Sequence, residues 1–410
     1  MPRVWDVPVR DSTRVRDARV AAEDAAALAG LDERRTAAAA LVATELATNL
    51  LKHAEGGQVL IDIVAPPVLR EGREGSRFVQ IAAIDHGPGI ADVPAALRDG
   101  FSTTRSLGAG LGTCLRLADD FGLHSTSGRG TVVVARMGTT PRGDGTPAGP
   151  AVRVWADGVS GSRGDVAGAD TPGGAVPGWS GGGSRDGGVR ENEVGTETRN
   201  GPWSQPARAV RAGGVNIPYA GAGCSGDAWA WLRAGERVTL MLADGLGHGP
   251  EAARASSAAV VALHRWAHLS PAEALRRLHD TLKGTRGAAV ALAQLDLRAG
   301  RLRFAGIGNV GARLRTDGTW RHLLSRPGIV GVHRPGTLRE EEADWADDRL
   351  LIMHTDGLPS RWTPPSDAGP SMADPAVTAA VTIRDASSPA RPVRDDTAVA
   401  VLTPTPPDLP

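Results

Sequence analysis

Aspartate recurs in this chain wherever a short apolar run begins or ends. Leu240–Met241–Leu242–Ala243 runs into Asp244 and then into the glycine-rich turn Gly245–Leu246–Gly247–His248–Gly249. In the same way Leu350–Leu351–Ile352–Met353–His354–Thr355 leads to Asp356–Gly357. Asp227 follows Gly223–Cys224–Ser225–Gly226, and Asp395–Asp396 opens the run Thr397–Ala398–Val399–Ala400–Val401–Leu402. Apolar runs of this length bounded by turn signals read as buried strands. Glycines at their ends let the backbone turn sharply and pass close to a ligand. Carboxylates gathered there, with no Cys or His cluster, suit hard divalent cations that prefer oxygen ligands. Ordinary turn aspartate is the plain alternative, but it does not explain the repeated placement beside buried strands.

A second candidate chemistry lies near the N-terminus. In Leu41–Ala54 the residues Glu45, Asn49 and His53 stand four apart and share one helix face, while Leu46 and Leu50 share another. Taken alone, such a stripe is simply the solvated side of a helix. Strand-like Val59–Val64 and Phe78–Ile84 follow, and the second ends in Asp85–His86–Gly87–Pro88–Gly89–Ile90. Then come Gly100–Phe101–Ser102–Thr103–Thr104 and Leu107–Gly108–Ala109–Gly110–Leu111–Gly112, leading into a helix predicted at 113–121. A glycine-rich turn that opens a helix presents free amides and a helix dipole to phosphate. By itself a G-x-G-x-G pattern is weak.

The elements that must position these residues fall into two halves. Helical spacing covers 22–30 and 36–54 in the first. In the second, strands are expected at 228–233, 237–243, 288–297, 301–307, 310–315, 349–354 and 397–402. Helices are expected at 250–267, behind Gly249–Pro250–Glu251, and at 271–283, after Ser270–Pro271, both good start signals. Mostly antiparallel strands with paired helices predict an α/β/β/α sandwich with the acidic site at one end of its sheets. Between the halves, residues 141–200 hold 16 of the 53 glycines and no periodic apolar pattern. Such a stretch cannot offset its ordering entropy by burial and reads as a flexible tether. Trp155 and Trp179 are stray aromatics within it, and Val152–Arg153–Val154–Trp155 is a short strand candidate.

Length allows two domains with real cores. Lys and Arg number 46 against 46 Asp and Glu, so charge argues for neither a nucleic-acid nor a bulk membrane partner. Lys52 and Lys283 are the sole lysines, a bias that fits genome base composition better than an arginine-specific role. Cys114 and Cys224 lie in different halves, so a disulfide framework is not expected and a reducing cytoplasm is. Cys224 reads as a packing thiol. Met1–Asp11 lacks a signal-peptide core, and no run of about 18 apolar residues exists to span a bilayer.

In its order of motifs, residues 35–137 resemble the GHKL ATP-binding family, in its serine-kinase and anti-sigma branch, with RsbT-type switch kinases the nearest likeness. The pieces are "ELATNLLKHAEGG", "DHGPGIAD", "DGFSTT", "LGAGLG" and the late Gly130–Thr131. The resemblance implies a Bergerat-type α/β sandwich over 1–138 that binds ATP with Mg²⁺. Asn49 would help hold the ion, and Asp85 would recognise the adenine amino group with help from Thr131. Gly87 and Gly89 would shape that pocket, and Gly108, Gly110 and Gly112 would close over the phosphates. Glu45 would be the general base orienting a partner's serine hydroxyl. Thr48 departs from the family, which tends to carry a basic residue beside the asparagine; the departure touches phosphoryl transfer more than nucleotide binding.

Residues 207–403 resemble the SpoIIE/RsbX branch of the PPM-type protein phosphatases, through "GCSGDAW", "LADGLGHGPEAARAS", "RGAAVALAQLD", "FAGIGNVGARL", "HTDGL" and "RDDTAVAVL". That likeness implies two Mn²⁺ or Mg²⁺ ions bridged by Asp244. Asp227 and the Gly245 carbonyl would serve one ion, Asp356 and Asp395 the other. Only one of Asp395 and Asp396 should enter the site, and family position favours Asp395. His248 is either an acid for the leaving group or a cap of its turn. Both families act on STAS-type antagonist or scaffold proteins in bacterial partner switching, and a sigma factor is a further candidate partner. The expectation is a phosphatase joined by the 139–206 tether to a switch kinase. The alternatives are a non-catalytic, ATP-gated binding module in place of the kinase, and an inactive scaffold.

Overall fold

The computed structural model describes residues 3–64, 77–97, 110–138, 151–156, 210–219, 223–365, 374–388 and 390–405. Gly108, Gly100–Thr104, Trp179 and the rest of the expected tether beyond residue 156 lie outside the described residues.

The first half is a sheet backed by helices. Its elements are β1 (Val4–Val9), α1 (Ser12–Ala29), α2 (Glu33–His53), β2 (Gly57–Val64), β3 (Phe78–Ile84), α3 (Val93–Leu97), α4 (Leu111–Leu117), β4 (Asp120–Thr126), β5 (Gly130–Gly138) and β6 (Ala151–Ala156). The six strands run in the order β1-β2-β3-β5-β4-β6, antiparallel except for the parallel β4–β6 pair. Asp11 caps α1 by accepting from the Thr13 and Arg14 amides, and Gly30 ends the helix in the left-handed region. Alanines at 22, 25, 26, 39, 43 and 47 let α1 and α2 sit close on Val59, Ile61, Val79, Ile81, Val133 and Ala135.

Helix α1, expected over 22–30, begins already at Ser12, and two further boundaries differ from expectation. The helix expected at 113–121 stops at Leu117, because Ala118 turns extended and Asp120–Thr126 joins the sheet beside β5. Asp119 secures the changeover by accepting from Arg35 and from the Gly138 amide. The stray strand candidate at 152–155 is β6, so the ordered sheet continues past residue 138.

The second half is a sandwich. It contains β7 (Val210–Ile217), β8 (Asp227–Ala234), β9 (Arg237–Gly245), α5 (Pro250–Trp266), α6 (Pro271–Thr281), β10 (Ala288–Asp296), β11 (Arg301–Ile307), β12 (Gly311–Thr316), β13 (Thr319–Leu323), β14 (Glu341–Asp344), β15 (Leu350–His354), α7 (Pro375–Ala386) and β16 (Thr397–Pro404). One five-stranded sheet has the order β14-β11-β10-β9-β8 and the other β13-β12-β15-β16-β7. Leu240, Leu242, Ala291, Leu314, Leu351, Met353, Ala398 and Ala400 fill the space between them. Helices α5 and α6 cover the outer face of the first sheet through Leu263, Leu275 and Leu278. The predicted α/β/β/α layering holds, with α7 as the last layer.

Helix α7 is buried nearly all round, with only its last two residues out of the core, as befits a helix apolar on every side. One flank meets Val215, Ile217, Ile352, Val399 and Val401 of the second sheet. The other meets Leu60, Ala82, Ile84, Val132 and Val134, the face of the N-terminal sheet turned away from α1 and α2. The described residues of both halves therefore belong to one compact unit, where a tether predicts independent bodies. A sheet buried on both faces reads as a continuous apolar run, and Val132–Val133–Val134–Ala135 is one.

One buried ion pair fixes the register of this junction. Arg136, from β5, donates to both oxygens of Asp374 at 2.8 and 2.7 Å, and also to Asp120 and Gln80. Asp374 in turn caps α7, accepting from the Ala376 and Val377 amides. Burial works against a charged Asp374, but the Arg136 guanidinium outweighs it and holds the carboxyl at about 2. Removing one member leaves the other charged and buried, which costs about 3–5 kcal/mol. Arg136→Met should lower unfolding free energy by that order in urea titrations read by tryptophan fluorescence. Adding Asp374→Ser, which keeps a capping oxygen, should recover part of the loss.

Candidate functional site

The acidic residues meet at one end of the sandwich because the strands carrying them end there. In the β8–β9 ladder Asp227 and Asp244 are direct cross-strand partners. Asp356 lies two residues past the end of β15, and Asp395–Asp396 immediately precedes β16, the strand paired with β15. Asp244, Asp356, Asp395 and Asp396 line one cavity of about 390 Å³ with Asn309 and the Pro327–Gly328–Ile329 turn. Gly245 is forced by packing: a Cβ there would overlap the carbonyl oxygen of Ala252 in α5.

Each carboxylate has its own restraint. Thr355 Oγ1 donates to Asp227 at 2.7 Å while accepting from the Ala398 amide. The Asp227 strand end is also tied through Ser225 and Asn216. Asn309 Nδ2 donates to Asp356 at 2.6 Å. Asp396 spends both oxygens on backbone, accepting from Tyr219 N at 2.7 Å and Gly226 N at 2.8 Å. Asp395 accepts at one oxygen from the Asp396 amide, which leaves its other oxygen for the cavity. The pair thus divides its labour in the sense that favours Asp395 as the ligand.

Burial first, and then mutual repulsion, raises three of them, Asp227, Asp244 and Asp356. Asp227 lies well above the usual carboxylate range through burial and the adjoining Asp244. Burial and the charges of Asp356 and Asp395 push Asp244 up to about 7. Asp356 is raised by burial and Asp395, against the Asn309 bond. Such a set asks for positive charge, and its donors are all oxygen, which fits Mg²⁺ or Mn²⁺. Among the described residues no three His, Cys, Asp or Glu side chains form a ready-made coordination sphere. Asp227, Asp356 and Asp396 are turned to the protein donors just named. His248 is exposed beside Tyr219, their rings 6.3 Å apart, and is not among the residues lining the cavity. It makes no capping bond to α5 either.

A second cavity, of about 360 Å³, lies in the first half. Glu45, Asn49 and His53 line it from one face of α2, as their spacing predicts, and Asp85, Gly89, Gly110 and Thr131 line it too. Leu46, Ala83, Ile90 and Val133 supply apolar wall. The buried Asp85 carboxylate accepts from Gly87 N at 2.8 Å and Thr131 N at 3.0 Å. Its pKa is raised by burial, against those two bonds. Gly130, with φ +103°, admits no side chain, since a Cβ would overlap the Asp85 carbonyl oxygen. Ser125 Oγ bonds Ile90 N and lies 3.1 Å from Thr131 Oγ1, closing the pocket floor. Gly87 shapes the loop from outside the cavity lining, and Gly112 is buried within α4. Burial raises Glu45, which suits a base.

Sequence reasoning singled out neither Asn309 nor Thr355, although both sit inside motifs it quoted. It also passed over Lys52, which lines the Glu45 cavity. Burial, followed by the nearby Glu45 charge, raises Cys114 to about 12, so thiolate chemistry is not available to it.

Comparison with known proteins follows the same division. Residues 9–137 match the histidine kinase-like ATPase domain family, and residues 234–403 match the stage II sporulation protein E (SpoIIE) family. Over 92 residues the chain is 42% identical to the serine/threonine-protein kinase RsbT of Bacillus subtilis, a match covering 22% of this chain and 64% of that protein's length. Among solved structures, RsbX in complex with magnesium is similar at 20% identity and TM-score 0.41, over 48% of this chain and 96% of that one. The phosphatase domain of SpoIIE from Bacillus subtilis, with a regulatory fragment, is similar at 16% identity and TM-score 0.42, over 48% and 64%. The chain thus carries a match to the histidine kinase-like ATPase domain family, with similarity to RsbT, ahead of a match to the SpoIIE family.

Proposed function

We propose that the C-terminal half is a metal-dependent protein serine/threonine phosphatase and that the N-terminal half binds ATP–Mg²⁺ and phosphorylates a serine on a related partner. The observation that carries the phosphatase reading is the gathering of Asp227, Asp244, Asp356 and Asp395 at one end of the sandwich, with the pKa of three of them raised by burial and mutual repulsion. Asp244 would be shared between two Mn²⁺ or Mg²⁺ ions, Asp227 and the Gly245 carbonyl completing one shell and Asp356 and Asp395 the other. Bound there, the cations supply an activated water and neutralise charge developing on the phosphoryl group. The chain's own part is to hold the acids still: Thr355 orients Asp227, Asn309 orients Asp356, and Asp396 ties the Gly226 turn to Tyr219, two residues past β7.

In the other half Asp85, fixed by the Gly87 and Thr131 amides, would read the adenine amino group. Asn49 would help hold Mg²⁺, and the glycines at 108, 110 and 112 would close over the phosphates. Glu45 would take the proton of the partner's serine hydroxyl. The partners consistent with this pairing are STAS-domain antagonist or scaffold proteins of bacterial partner switching, with a sigma factor as a further candidate, in the cytoplasm. Among the described residues no helix is long and apolar enough to cross a membrane. Thr48, where switch kinases tend to carry a basic residue, favours one second reading, in which the N-terminal half is an ATP-gated binding module without transfer activity.

Two variants test these assignments. Asp244→Asn should reduce Mn²⁺-dependent hydrolysis of p-nitrophenyl phosphate and of a phosphoserine peptide to background; retained hydrolysis would remove Asp244 from the centre of the site. Glu45→Ala should keep ATP binding by calorimetry yet slow phosphate transfer to a STAS partner by about 10²–10⁴-fold, the usual worth of a general base. Equal transfer by wild type and variant at background level would favour the binding module.

A further inference from the structure

One arginine of the phosphatase half reaches the nucleotide cavity's back wall without belonging to the acidic site. Arg384, in the last turn of α7, is 1% exposed. Its Nη1 donates to the carbonyl oxygen of Gly130 at 3.1 Å. The same nitrogen lies 3.4 Å from His124 Nδ1, and Nη2 lies 3.5 Å from Thr126 Oγ1. On the opposite side of the loop, His86 Nε2 donates to the Arg384 carbonyl oxygen at 3.0 Å. A single residue of α7 is therefore bonded both to the residue after Asp85 and to the residue before Thr131. These flank the two groups that define the floor of the cavity, the Asp85 carboxylate and the Thr131 amide that bonds it.

Several features make this a built contact. Gly130 has no room for a side chain because its Cα backs onto the Asp85 carbonyl oxygen, so the bond from Arg384 to its carbonyl acts on backbone packed directly against Asp85. His124 is buried with its Nδ1 toward the guanidinium and its Nε2 toward Thr126. Burial, helped by the Arg384 and Arg129 charges, lowers its pKa to about 3, so it stays neutral and accepts from Arg384. Asp385 accepts from Arg384 Nε at 2.9 Å and lies 3.4 Å from Arg129, which pins the guanidinium from the helix side. A buried charge held by this many partners costs more to misplace than to keep.

We propose that Arg384 is a positioning residue of the nucleotide site, supplied by the phosphatase half: it fixes the start of β5 at Gly130–Thr131 and, through His86, the Asp85 loop, and so sets the geometry with which Asp85 reads the adenine amino group. The inference rests on reading this cavity as a nucleotide site. Its consequence is that the N-terminal half completes its base-recognition wall only while docked on α7. Linkage is reciprocal, so nucleotide bound there must tighten the α7 junction by the same free energy.

The test uses the full chain with Mg²⁺ and two nucleotides, ATP and inosine triphosphate, which lacks the amino group Asp85 would bind. Wild type should prefer ATP. Arg384→Met should weaken ATP by about tenfold, the worth of one charge-assisted hydrogen bond, while inosine triphosphate changes by less than about twofold, so that selectivity collapses. Mere loosening of the fold would weaken both alike. A measurement on the unmutated chain stands beside it: hydrogen exchange should slow on adding ATP in peptides covering 381–386 as well as in those covering 83–90 and 124–132. An unchanged ATP preference in the variant, equal weakening of both nucleotides, or protection confined to the N-terminal half overturns the proposal. If wild type binds neither nucleotide, the ATP reading falls and the proposal with it; ATP binding with none of the predicted effects overturns the proposal alone.

Discussion

Two acids placed directly opposite each other on neighbouring antiparallel strands are the constraint around which the C-terminal half is arranged. Asp227 and Asp244 share one ladder position, where like charges repel most strongly. Nothing in the local sequence relieves that repulsion. The fold instead spends its polar groups on restraining it: Thr355 on Asp227, Asn309 on Asp356, and two amides on Asp396. Of the strands that bring an acid to this end, β9, β15 and β16 are almost wholly buried, and β8 is buried at its Asp227 end. The repulsion is stored where a cation can relieve it, and the apolar core between the sheets holds the acids against moving apart.

The same sheets decide how the two halves meet. Strands β15 and β16 carry aspartates of the acidic cavity at their ends and place Ile352, Val399 and Val401 on the outer face, where α7 docks. Helix α7 has no polar side to offer water, so it needs cover on both flanks. The far face of the N-terminal sheet provides it. That sheet has the matching requirement, because its central strands are apolar on both faces. Each half supplies what the other lacks, with Arg136–Asp374 at one end of the helix and Arg384 at the other setting position along it.

Much of the site was legible because its signals are local. Apolar runs ending in Asp–Gly located the strand ends, and the four-residue spacing of Glu45, Asn49 and His53 put them on one helix face that the structure turns into a cavity. The pairing of Asp395 with Asp396 could not be resolved that way: both line the cavity, and what occupies the Asp396 oxygens is a pair of amides, at Tyr219 and Gly226, 177 and 170 residues away. Asn309 and Thr355 were hidden for the same reason, since their roles are set by partners distant in sequence. Helix α7 was missed although Asp374–Pro375 is a sound start signal and ten of its residues are buried. Its composition, rich in Ala, Val and Thr, has no amphipathic period to detect. The absence of a polar face was itself the signal, and it marked a helix between two sheets.

The expected tether illustrates the limit of reading glycine content as independence. A flexible connection raises the effective concentration of two domains for each other, and whether they dock depends on the surfaces they present. Here the surfaces are the apolar flank of α7 and the Val132–Val134 face, joined by a bidentate ion pair. Burying such a face returns more free energy than orienting two bodies costs when a linker has already removed most of the translational freedom. Both cavities share one framework: α7 bonds the residues that flank Asp85 and Thr131, and it lies on the strands whose ends carry the acids. Were the proposed Arg384 linkage to couple the Asp85 cavity to the acidic site, it would need no moving arm, only two packings of one helix between two sheets.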